Sequence, residues 1–104
     1  MWHQYPDYDA ELTRRLISAY KIDASDFLSQ MGEALVKADI ASIAKAAYAL
    51  NRAASILAAD VVCAVSKELE TAARDGMTDQ IPAMLQRLRD ENARWIDGLP
   101  VGLA

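Results

Sequence analysis

Apolar residues recur along this chain at intervals of three and four, the spacing of a helix that buries one face, and the phase of that pattern predicts four main helices. Between Trp2 and Tyr20 the positions Tyr5, Tyr8, Leu12, Leu16 and Ala19 keep helical spacing, with Pro6 and Asp7 near the start, which predicts a short extra helix ahead of the others. Asp23 can cap the next helix with Asp26 in its first turn; Phe27, Met31, Ala34, Leu35 and Ala38 then follow one face, and the helix ends near Asp39. From Ile40 a long stripe runs through Ile43, Ala44, Ala47, Leu50, Ala54, Leu57, Ala58 and Val61. Around Ala58, Ala59 and Asp60 the phase shifts to Val62, Val65, Leu69, Ala72 and Ala73, so a separate helix is expected there, with Asp60 as its cap. Gly76 ends this third helix beyond a pair expected to be exposed, Glu70 and Arg74. Thr78 or Asp79 opens the last helix, whose first turn tolerates Pro82 and whose inner face is Ile81, Leu85, Leu88, Trp95 and Ile96.

Short loops between helices of this length favour antiparallel neighbours. The expected fold is all-α: an antiparallel up-down-up-down four-helix bundle with a short N-terminal extra helix, forming a single domain over residues 1–104. Composition supports it, because strong helix formers dominate and only four glycines and three prolines are present. A chain of 104 residues is long enough to bury roughly two thirds of its unfolded surface without staples.

Charge and cysteine usage narrow the function. Eleven Lys plus Arg against fifteen Asp plus Glu leave a net charge of −4, which repels phosphate backbones and argues against nucleic acid as a partner. The single cysteine, Cys63, cannot form an internal disulfide and lies in an apolar helical stretch, which points to a small buried hydrophobe and a cytoplasmic protein. The opening Met1-Trp2-His3-Gln4-Tyr5-Pro6-Asp7 lacks the pattern of a signal peptide, and Asn51, Arg52 and Asp60 interrupt the longest apolar run, so no membrane segment is expected.

Catalytic chemistry finds little to work with. His3 is the only histidine and lies at the extreme N-terminus, outside any rigid helical site. Neither Glu68 and Glu70 nor Asp90 and Glu91 form a same-face set with histidine or cysteine, so no metal site, acid-base pair or cofactor is expected. Ser55 and Ser66 have no histidine base, and no glycine-rich loop could hold a nucleotide. Met31, Met77 and Met84 read as core filler, while Trp2, Tyr5 and Tyr8 are expected to pack over one bundle end, with a homodimer contact as the alternative.

One stretch carries more. Residues Ala47-Tyr48-Ala49-Leu50-Asn51-Arg52-Ala53-Ala54 stand where the histidine-containing phosphotransfer (HPt) family has Ala-His-x-Leu-Lys-Gly-Ser-Ala. Asp39 and Ile43 upstream, and Leu57, Ala59, Val62, Val65, Leu69 and Glu70 downstream, fall without gaps on that family's acidic, aliphatic and Leu-Glu positions. The chain therefore resembles an HPt domain of two-component phosphorelays, and the resemblance implies a helical bundle that meets a response-regulator receiver domain or a histidine kinase.

The active-site half of the pattern is replaced: Tyr48 stands for the phospho-accepting histidine, Asn51 for the lysine, Arg52 for the glycine and Ala53 for the serine. Imidazole forms a labile N–P bond, whereas a phenol forms a stable ester, so Tyr48 is not expected to relay phosphate and no enzyme activity is expected. Helical spacing places Lys45, Tyr48, Arg52, Ile56 and Ala59 on one exposed face, a mixture of aromatic, cation and aliphatic of the kind enriched at protein interfaces. With Asn51 and Ser55 beside them, Lys45, Tyr48, Arg52 and Ile56 are the candidate partner-binding residues. The competing reading is a structural or oligomerisation module unrelated to phosphorelay, in which Tyr48 merely covers the bundle seam.

Overall fold

The computed structural model describes residues 6–100, with side chains from residue 10 onward. Four α-helices follow one another: α1 (Pro6–Val36), α2 (Ile40–Ile56), α3 (Asp60–Arg74) and α4 (Ile81–Asp97), the last preceded by a 3₁₀ turn at Thr78–Gln80. Sequence neighbours pack together and α4 returns to α1, which closes a four-helix bundle with no strands among the described residues.

The extra helix expected at the N-terminus is the first part of α1 and not a separate element. Its predicted stripe is also rotated: Leu12, Leu16 and Ala19 are exposed, while Ile17, Tyr20, Ala24, Leu28, Met31 and Ala34 are buried. That buried series passes straight through the expected cap at Asp23, which lies with Asp26 on the solvent side of an unbroken helix. No glycine or proline interrupts residues 7–31 to force a break. The expectations for Trp2, His3, Tyr5 and the Tyr8 side chain fall outside the described residues.

The core gathers Tyr20, Met31, Ile43, Leu50, Val62, Val65, Leu69, Ile81 and Leu88, one contiguous cluster fed by all four helices. Three turns between helices share one hydrogen-bonding scheme. Asp39 N–H donates to Ala34 O at 2.8 Å and Ala38 N–H to Leu35 O at 3.1 Å, and the same crossed pair recurs as Ala59 to Ala54 with Ala58 to Ser55, and as Met77 to Ala72 with Gly76 to Ala73. This is the Schellman closure, which needs a left-handed residue at its fifth position. Gly76 supplies it at φ 76°, but Ala38 and Ala58 supply it at φ 56° and 55°.

Other expectations change on burial. Val61 is 53% and Met77 46% exposed, Ala38 and Ala58 lie at the surface in their turns, and Ala59 is buried as the residue capping α3, a position expected for Asp60. Glu70, expected in an exposed pair with Arg74, is buried; its Oε2 accepts from Arg74 Nε at 2.8 Å, with Lys67 Nζ 3.8 Å from Oε1. Cys63 is half-buried.

Helices α1 and α4 are joined by polar contacts. Tyr20 donates its hydroxyl to Asn92 Oδ1 at 2.5 Å and meets Trp95 edge to face at 5.3 Å. Burial pushes the Tyr20 phenol well above its usual range, with the neighbouring Cys63 a smaller cause in the same direction. Further along, Arg89 donates from Nη2 to Leu28 O at 3.2 Å, and a Cβ at Gly32 would come within 2.8 Å of that nitrogen. Glycine leaves α1 open there, and a Cβ would make the guanidinium shift.

Candidate functional site on the outer face of α2

Helix α2 begins at a well-made cap: Asp39 accepts from Ser42 N–H at 3.2 Å and from Ser42 Oγ at 2.6 Å. Those bonds, the side-chain one first, hold the Asp39 carboxyl below its ordinary value, with Lys37 and Lys45 nearby adding to the effect. The cap fixes the start of a helix whose inner stripe, Ile43, Ala44, Ala47, Leu50 and Ala54, is fully or nearly fully buried. Its rotation about its axis is thereby set.

The residues left outside are Ala41, Lys45, Tyr48, Arg52, Ser55 and Ile56. Tyr48 is 44% and Ile56 72% exposed. Arg52 reaches back one turn, donating from Nη1 to the Tyr48 hydroxyl at 3.1 Å with its guanidinium carbon 5.8 Å from the ring centroid. The bond to Tyr48 raises the pKa of Arg52 further, so this cation stays charged at any accessible pH. The phenol is thus held over its own helix by a neighbour four residues on. Lys45 and Arg52 are the only charged residues of α2, which carries no carboxylate in a chain of net charge −4.

Asn51 and Ser55 belong to a different side. Asn51 donates from Nδ2 to Cys63 O at 2.9 Å, and Cys63 returns its thiol to Asn51 O at 3.4 Å, so the pair ties α2 to α3. Burial and the charge of Asp60 push the Cys63 thiol up, opposed by hydrogen bonding with the Ser55 side chain. Asn51 is half-buried, and Ser55, though exposed, leans to the α3 side. Ala59, expected on the outer face, is fully buried.

Two grooves flank the face. Toward α3, Ile40, Ala41, Ala44, Lys45, Ala73 and Arg74 line an open depression. Toward α1, Leu16, Ala19, Tyr20, Asp23, Ala53, Ile56 and Leu57 line a smaller, mostly apolar one of about 180 Å³. The α1 contribution escaped the sequence reading because Leu16 and Ala19 were assigned to a buried stripe. Ile17 and Tyr20, which continue in phase to Ala24, Leu28 and Met31, held the signal that would have turned them outward.

Chemically the face can bind but has no proton-transfer partner of the usual kind. Among the described residues there is no histidine, and no group of three or more His, Cys, Asp or Glu could hold a metal ion. No helix among them is long and apolar enough to cross a membrane. Set beside known proteins, the chain matches the sequence model of the Hpt domain family over residues 15–97. No curated protein and no solved structure gives a match.

Proposed function

Because the chain belongs to the Hpt domain family of two-component phosphotransfer signalling, we propose that the outer face of α2 receives a response-regulator receiver domain or a histidine kinase without accepting phosphate. On this reading the protein is a binding partner and not an enzyme, and it works in the cytoplasm with that partner. The observation that carries the proposal is an exposed Tyr48 bonded to Arg52, on a face that keeps a cation and an aliphatic on either side; the resemblance of the sequence sets Tyr48 against the family's histidine. Tyrosine and arginine are the side chains that most often dominate protein interfaces. Asn51, at the family's lysine position, is occupied in joining α2 to α3 and supplies no positive charge beside Tyr48.

Titration calorimetry against a panel of receiver and kinase domains tests this. Binding to at least one is expected, weakened roughly tenfold or more by Tyr48→Ala and by Arg52→Ala. Incubation with a phosphorylated receiver should leave no label on the wild-type chain. The variant carrying Tyr48→His, Asn51→Lys, Arg52→Gly and Ala53→Ser together restores the family pattern and is expected to take label. Binding to no receiver or kinase would remove the proposal.

A further inference from the structure

The large apolar side chains left exposed among the described residues include Leu12, Leu16 and Ile22 on α1 and Ile56 at the end of α2, with Leu16 and Ile56 lining one groove. Ile22 stands 65% exposed, and the apolar groove between α1 and α2 lies one turn away. Flanking them are an exposed cation, Arg15, and an exposed carboxylate, Asp23, that forms no ion pair among the described residues. Between all of these sits Ala19, exposed and small.

We propose that two copies of this chain associate through α1, antiparallel, about a twofold axis at Ala19. A twofold there sets residues three before and three after Ala19 opposite each other, and likewise residues four before and four after. Leu16 then faces Ile22 of the second copy, and Arg15 faces Asp23 of the second copy, each pair occurring twice. The Ile22 knob of either copy enters the other's groove, between Leu16 and Ile56, over the floor formed by Ala53 and Leu57. Arg15 already bonds Glu11 on its own helix at 3.1 Å; the planar guanidinium has donors to spare for a second carboxylate.

Charge and bulk select this axis over its neighbours. Centred on Leu16, the twofold would oppose Leu12 to Tyr20, which is buried in the bundle, and Thr13 to Ala19, with no pair of opposite charges. Centred on Asp23, it would bring like charges together on the axis. Ala19 alone combines opposite charges, two exposed aliphatics and a side chain small enough for close helix approach. Lys45 and Tyr48 lie outside the contact.

Sedimentation equilibrium from roughly 1 μM to 1 mM, a span that brackets moderate affinities, should show a monomer–dimer equilibrium. Ile22→Glu is expected to weaken it at least tenfold, and Arg15→Asp or Asp23→Arg singly to weaken it as well. The double variant with both charge changes should recover most of the loss. In a Cys63→Ala background, Ala19→Cys should oxidise to a covalent dimer far faster than Ser29→Cys, because only the axis residue meets its own copy. Apart from the half-buried Cys63, all these positions are exposed, and circular dichroism verifies that each variant stays helical. A chain that remains monomeric throughout, a dimer indifferent to Ile22→Glu, a charge swap without recovery, or equal oxidation at positions 19 and 29 overturns the proposal.

Discussion

Tyr48 and Arg52 show how far single positions could be read in advance. Four residues apart on a helix, they had to share a face, and their side chains do meet at 3.1 Å. Asn51 sits one residue before Arg52, a turn of about 100° about the axis, and that rotation carries it to Cys63 and away from the face. Its role depended on where α3 packs, which no single helix discloses. Tyr20 figures in the sequence only as the end of the N-terminal segment, yet it is a core residue whose buried hydroxyl is satisfied by Asn92, seventy-two positions away. Tyr20→Phe leaves the Asn92 carbonyl unpaired, and urea denaturation should show a loss of about 1–3 kcal/mol. Asp39 gives a test in pH. Its folded carboxyl titrates below the ordinary value of 3.8, so its extra stabilisation is complete above that value and disappears as pH falls through the folded one. The melting temperature of the wild type should exceed that of Asp39→Asn near neutrality, and the gap should close as pH drops from about 4 toward 2.

Helix boundaries tell a mixed story. Gly76 marks the end of α3, whereas the ends near Asp39 and Asp60 were visible from the apolar pattern and the acidic caps, because those two turns lack a glycine. The continuity of α1 was not visible, since Asp23 and Asp26 have the chemistry of a cap while lying on a solvent face in mid-helix. The two alanine turns make a direct prediction. A left-handed alanine carries a cost of roughly 1–2 kcal/mol, and glycine gives back part of the gain through its freer unfolded chain. Ala38→Gly and Ala58→Gly should each raise stability by about 0.5–1 kcal/mol in denaturant titrations. At Gly32 crowding should offset helix propensity. Gly32→Ala alone crowds Arg89 off Leu28 O and gains little, whereas in an Arg89→Ala background it should stabilise by about 1 kcal/mol.

Across the whole molecule, α1 sets the dimensions: its 31 residues match the 46 Å long axis, and the radius of gyration of 14.8 Å exceeds the value of about 13 Å for a compact domain of this length. Among the described side chains, the core cluster begins on α1 at Tyr20. The two cations of α2, Lys45 and Arg52, act at still longer range. A molecule of net charge −4 that gathers positive charge on one helix face has an electric dipole, and a partner with an acidic patch would be turned toward that face during diffusion, before any atoms touch. Screening limits such guidance to about 8 Å at physiological ionic strength. Added salt should therefore slow association with a receiver domain while leaving the lifetime of the complex nearly unchanged, and Lys45→Ala should flatten that dependence.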